Sequence, residues 1–248
     1  MKKTFALFVA VCLAVMPFLQ SCDDGEGYSL GDFTPPLWAT VRTTGASFYL
    51  DCDVWGTLWP VNLDLGWYVP IDGRRVITSF NPLWDNYEGY DHAVKILTIQ
   101  DVLTKSVETL TPETEEEFGN DLVYIAEGDI SISNGYMNVY FQQNLPKETK
   151  HRISLVRPES DDELYGADGY IHLQIRYNNY DDLTGVYTQG VVSYNLNSLN
   201  IKDDTKGIKV TVNSEKAADE VEFTFDIVSS ESNAGRLANQ DMSKMQIR

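Results

Sequence analysis

Tyr170-Ile171-His172-Leu173-Gln174-Ile175-Arg176-Tyr177 puts an aliphatic side chain at every second position through Ile175 and a polar or amphipathic one between. Successive side chains of a strand point to opposite sides, so this period of two predicts a strand with one dry and one wet face. The pattern recurs on both flanks. Met137-Val139-Phe141 oppose Tyr136-Asn138-Tyr140, and Ile153 and Leu155 oppose Arg152 and Ser154. Ile208-Val210-Val212 oppose Lys209-Thr211-Asn213, and Val221-Phe223-Phe225-Ile227 oppose Glu222-Thr224-Asp226. Strands with one solvated face belong to antiparallel sheets, and two such sheets closed on their dry sides make a sandwich. Residues 120–230 are therefore read as an antiparallel β-sandwich. Its turns at 159–163, 178–182 and 202–207 are acidic, Asn-rich or Gly-rich, and a polar tail follows at 231–248.

Toward the N-terminus the strands shorten. Leu37-Ala39-Val41 alternate with Trp38-Thr40-Arg42, a turn at Thr44-Gly45 follows, and Ser47 to Cys52 runs back. Asp53 to Gly56 turns the chain into Thr57 to Val61, Asp72-Gly73 opens Arg74 to Phe80, and Asn81-Pro82 closes it. His92 to Asp101 carries apolar residues at 93, 94, 96, 97 and 99, a density that predicts burial. About five strands with short turns and no amphipathic helix read as a small closed barrel over 35–108. Thr111-Pro112-Glu113 to Gly119 has the cap, proline, acids and terminal glycine of a short helix, and a bare linker at 109–119 serves equally well. The chain is thus all-β: a five-stranded barrel, then a sandwich.

Its start is a different kind of segment. Lys2 and Lys3 precede an apolar run from Phe5 to Met16, too short for the roughly 20 residues of a membrane-spanning helix, and Leu19-Gln20-Ser21-Cys22 follows. This order resembles a lipoprotein signal, cut before Cys22 so that the acylated thiol becomes a membrane anchor and residues 1–21 are lost. An ordinary secretory peptide is the alternative. Residues 22–34 then read as an acidic tether. Asp23-Asp24-Gly25-Glu26-Gly27 also resembles the surface-export signal of lipoproteins in the Bacteroidota, against a plain spacer. An outer-membrane lipoprotein, at the cell surface or on the periplasmic side, is the expected location.

Charge and cysteine count exclude several classes. The chain carries 19 Lys and Arg against 37 Asp and Glu, a net of −18. Loss of residues 1–21 removes two lysines and no acid, leaving −20. Such a field repels a phosphate backbone, so nucleic acid is not an expected partner. With Cys12 in the signal and Cys22 acylated, Cys52 has no partner and reads as a small buried apolar residue. His92, His151 and His172 lie on different strands without metal-ligand spacing, and the acids at 51 and 53, 161–163, 181–182 and 203–204 lack the spacing of a calcium loop. Neither a phosphate loop nor a nucleophile elbow is present. No metal, cofactor or enzymatic activity is expected.

All five tryptophans precede residue 111. Trp55, Trp59, Trp67 and Trp84 fall at or near barrel turns, and a small barrel cannot easily bury so many large rings. These four are the candidate ligand surface, for a protein hot spot or for stacking on a glycan. Plugging the barrel and lining the contact with the second domain is the structural alternative.

Tyr28-Ser29-Leu30-Gly31-Asp32-Phe33, Thr57-Leu58-Trp59-Pro60, Asp72-Gly73-Arg74-Arg75-Val76, Val94-Lys95 and Ile99 to Lys105 resemble, in that order, the NigD-like lipoprotein family. The likeness continues through Tyr136-Met137-Asn138-Val139, His151 to Val156 and Ile175-Arg176-Tyr177-Asn178-Asn179, where the family often has His in place of Tyr177. The resemblance implies an N-terminal OB-type barrel and a C-terminal β-sandwich. The family takes its name from a gene beside a bacteriocin, which suggests an immunity role. The expected function is a lipid-anchored envelope protein that binds a protein partner, bacteriocin-immunity-like, with a glycan-binding surface lipoprotein as the alternative.

Overall fold

The computed structural model describes residues 28–226 except 30, 63–64, 147–149, 200, 216 and 218–219. The export signal, Cys22, the acidic run to Gly27 and the tail at 231–248 lie outside the described residues.

The first half is a barrel. β1 (Leu37–Thr44), β2 (Ser47–Cys52), β3 (Gly56–Pro60), β4 (Arg75–Tyr87) and β5 (Tyr90–Asp101) close in the order β1-β2-β3-β5-β4. β3 and β5 run parallel, and the other four pairings are antiparallel. Leu50, Leu58, Val76, Phe80, Val94 and Ile96 fill the interior, and Cys52 joins them with its thiol pushed up by burial. Two details differ from the sequence reading. Pro82 does not end its strand but lies inside β4, between register shifts at Ser79/Phe80 and Pro82/Trp84. Proline lacks the N–H of a regular ladder, and an irregularity is where it fits. β5 is also wetter than its apolar density predicts, since Leu97 is exposed.

The second half comprises β6 (Leu103–Ser106), β7 (Glu108–Leu110), α1 (Glu115–Phe118), β8 (Ile130–Ser133), β9 (Tyr136–Leu145) and β10 (Arg152–Pro158). It continues with α2 (Asp161–Leu164), β11 (Tyr170–Asn178), β12 (Val186–Asn195), β13 (Gly207–Val212) and β14 (Val221–Asp226). A five-stranded sheet, β14-β13-β11-β10-β7, and a four-stranded one, β6-β12-β9-β8, enclose a core separate from the barrel's. Met137, Val139, Leu155, Leu173 and Val210 belong to it. Antiparallel pairs are joined by three parallel ones, β7 with β10, β11 with β13 and β6 with β12. β11 and β13 can run parallel because β12, in the opposite sheet, supplies the crossover. The barrel therefore ends at Asp101 and not at 108: residues 103–110 form β6 and β7, an edge strand in each sheet of the sandwich. The region expected as linker or helix contains α1, where the Thr114 hydroxyl bonds Thr111 and does not cap the helix.

The barrel stands on the outer face of the four-stranded sheet. Tyr136 and Asn138, expected in water, are buried there, and Trp38 meets Tyr140 edge-on at 5.6 Å. Burial pushes the Tyr140 hydroxyl up to about 12. The Tyr136 hydroxyl donates to the Gly73 carbonyl at 3.1 Å. At the centre Arg75 Nη1 donates to Asp53 Oδ1 at 2.7 Å and Nη2 to Oδ2 at 2.5 Å, while Nη1 also reaches Thr40 Oγ1 at 2.9 Å. The Ser133 hydroxyl donates to Asp53, and Asn138 Nδ2 donates to Ser133 Oγ at 3.1 Å. The guanidinium lies 4.8 Å from the Tyr136 ring and 5.5 Å from that of Trp38.

The stretch read as a tether, 22–34, is tied down over its second half. Tyr28 Oη donates to Asp85 Oδ1 at 2.9 Å, Asn81 Nδ2 donates to the Ser29 carbonyl at 2.9 Å, and Thr34 N donates to the Phe80 carbonyl at 2.9 Å.

Candidate functional site

The four candidate tryptophans do not act as one group. Trp55 closes one mouth of the barrel, 5.5 Å from Phe80 and 5.0 Å from His92, with Tyr28 at 6.1 Å. Trp67 is exposed at the other end, where Phe48 and Tyr68 pack at 5.3 Å and Tyr68 meets Trp67 at 5.9 Å.

Trp59 and Trp84 do share a face. Ala93 on β5 pairs with Trp59 of β3 on one side and with Trp84 of β4 on the other. Paired residues of neighbouring strands project to the same side, and Leu58 and Val94, one step along, point into the core. Trp59, Ala93 and Trp84 therefore face outward. Two strand spacings place the tryptophan Cα atoms roughly 10 Å apart, with the smallest side chain between them. Ala93 is fully covered, whereas Trp84 is 58% exposed.

Three tyrosines extend this face. Tyr90 lies 4.8 Å from Trp59 and 5.2 Å from Tyr49, and Tyr87, paired with Tyr90 across the β4–β5 hairpin, stacks on Trp84 at 6.3 Å. The hairpin turns sharply, with Asn86 and Glu88 at φ of 54° and 48° before Gly89. Tyr49, Tyr87 and Tyr90 were not singled out from sequence. Their signal is the aromatic pair bracketing Glu88-Gly89, legible only once that pair is seen as a hairpin tip.

Carboxylates punctuate the same hairpin. Thr57 N and Oγ1 donate to Asp91 Oδ2 at 2.7 and 2.8 Å, and these bonds hold the Asp91 carboxyl below the usual range. Asp85 Oδ1 takes the Tyr28 hydroxyl and lies 2.6 Å from His92 Nδ1. Glu88 is exposed at the tip, and neither Lys nor Arg occurs from Trp84 to Val94.

Elsewhere the histidines are engaged singly, His151 with the Tyr177 hydroxyl at 2.5 Å and His172 with Asp168 at 3.0 Å. Among the described residues no three His, Cys, Asp or Glu side chains converge as a metal site. Two open grooves on the sandwich share Pro158, Glu163 and Gln174 and are bordered by the acidic turn at 159–163. No helix among the described residues is long and apolar enough to cross a membrane.

Residues 38–102 match the NigD-like N-terminal OB domain, and residues 106–225 match the NigD-like C-terminal beta sandwich domain. The chain belongs to the NigD-like family. The domain limits agree with the strand pairing, which places the junction between Asp101 and Leu103. A protein of unknown function from Bacteroides vulgatus is 28% identical, with a TM-score of 0.67 over 81% of this chain and 93% of its own. A protein from Parabacteroides distasonis, provisionally named as toxin-related, is 26% identical, with a TM-score of 0.65 over 85% and 100%. A NigD-like immunity protein from Bacteroides caccae, 17% identical with a TM-score of 0.56 over 81% and 99%, shares the fold. No curated protein matches the chain.

Proposed function

We propose that this is a lipid-anchored envelope protein that works by binding, without bond-breaking chemistry, and that the outer face of its barrel receives a protein partner. The observation that carries the reading is the aromatic face itself. Tyr49, Trp59, Trp84, Tyr87 and Tyr90 gather on one side of the β4–β5 hairpin, and the exposed Trp84 has no packing duty in the core. Clustered Trp and Tyr rings supply contact area at low entropic cost, as in interface hot spots. The toxin-related and immunity names of two relatives support a toxin or another envelope protein as the partner. The Leu19-Gln20-Ser21-Cys22 signal supports an outer-membrane anchor at Cys22. A glycan is the second reading, favoured by one observation: two tryptophans flanking Ala93 at the spacing of three strands form a platform for a sugar ring.

A photo-crosslinker at Tyr87 in the native cell tests the reading. Capture of one defined protein, lost in Trp59→Ala/Trp84→Ala, is the expected result, and the same double variant should fail to restore bacteriocin resistance to a deletion strain. Retention on a polysaccharide column that depends on the two tryptophans, with no protein captured, selects the glycan reading.

A further inference from the structure

Resting on that reading, we infer that the partner presents a cationic segment, with a Lys or Arg side chain laid against the exposed ring of Trp84 on the face it shares with Trp59. A surface pressed onto these rings also approaches Glu88 and Asp91, which neighbour Tyr87 and Tyr90 at the tip of the same hairpin. A carboxylate stripped of water without a compensating charge opposes association, so an apolar or acidic partner is rejected. Around its tip, from Trp84 to Val94, the hairpin holds no Lys or Arg, and among the described residues neither Glu88 nor Asp91 takes part in an ion pair. Asp91 is moreover fixed by Thr57 and held in its charged form before anything binds. Trp is the best aromatic acceptor for a cation, and Trp84 stands exposed on this face. The net charge of −20 that remains after residue 21 steers basic partners inward over a longer range.

The test is calorimetric titration of the full-length chain in detergent with a short alternating Arg-Gly peptide, its Gln-Gly counterpart and a neutral glucose oligosaccharide. The Arg-Gly peptide should bind and its Gln-Gly counterpart should not. Trp59→Ala/Trp84→Ala, which leaves the net charge unchanged, should weaken that binding about tenfold or more, and Asp91→Asn should weaken it in the same direction. Trp84→Ala alone, at an exposed ring, gives the same readout should the double variant fold poorly. Equal affinity of wild type and tryptophan variants would reduce the attraction to diffuse charge and overturn the inference. Tryptophan-dependent binding of the oligosaccharide without that of the peptide would overturn it in favour of a glycan. Cross-linked capture that needs the tryptophans while the Arg-Gly peptide fails to bind overturns the cation and leaves the protein-partner reading standing; loss of both removes both.

Discussion

Arg75 is completely buried and grips Asp53 with both terminal nitrogens, at 2.7 and 2.5 Å, directly beneath the four-stranded sheet of the second domain. Removing one partner of a buried pair leaves the other charge uncompensated, at a cost of about 3–5 kcal/mol. Asp53→Ala and Arg75→Met should each lower unfolding stability by that amount in urea. The double variant Arg75→Met/Asp53→Leu should recover part of the loss, because apolar substitutes of similar volume need no desolvated charges.

Trp55 and Trp84 should separate cleanly in stability. Trp55→Ala empties a mouth of the barrel and is expected to cost about 2 kcal/mol, less than a fully enclosed ring. Trp84→Ala should change the midpoint of thermal unfolding little, within about 0.5 kcal/mol, as at other exposed positions.

Gly56 sits at φ of 68°, and a Cβ there would run into the Asp91 carboxylate. Gly56→Ala should therefore destabilise by about 1–3 kcal/mol and also release Asp91 from Thr57. A rise of the Asp91 carboxyl toward its ordinary value, followed by NMR titration, would accompany the loss.

Acid should loosen the edge that joins the two sheets. Partial burial by itself pushes the Glu108 carboxyl up, but the Ser154 hydroxyl and the cations of Lys105 and Arg152 outweigh it and hold it below its ordinary value. A depressed carboxylate stabilises the fold above its unfolded pKa, and that contribution disappears as pH falls through the folded one. Unfolding midpoints measured from neutral pH down to about 3 should decline less steeply for Glu108→Gln than for wild type. Asp168, held low by His172, Lys209 and the Tyr170 N–H, acts in the same direction.

Cys22→Ser should leave the signal uncleaved, read as a heavier chain that still carries residues 1–21. Mass spectrometry of the wild-type protein should find acyl groups on residue 22; an unmodified N-terminus there would rule the anchor out.

The two cores were legible because alternation reports burial directly: Leu173 and Ile175 on β11 lie in the sandwich core, and Leu50 on β2 in the barrel. The joint between the domains was not. Tyr136, Asn138 and Thr40 look like water-facing residues, and alternation cannot tell water from the polar flank of a neighbouring domain. β12 was missed, since Gly190 and a run of exposed positions from Val186 blur its period. For the site, composition singled out the tryptophans but not their grouping. That grouping depends on β3 pairing with β5 across the closed barrel, a relationship no local pattern encodes.

The bond from Tyr28 to Asp85 sets the length of free chain between residue 22 and the barrel. Six residue steps separate Cys22 from Tyr28, a leash of at most about 21 Å when fully drawn out. Were Cys22 acylated, Trp55 and the hairpin beside Asp85 would be moored within that reach of the headgroups rather than free to roam the envelope.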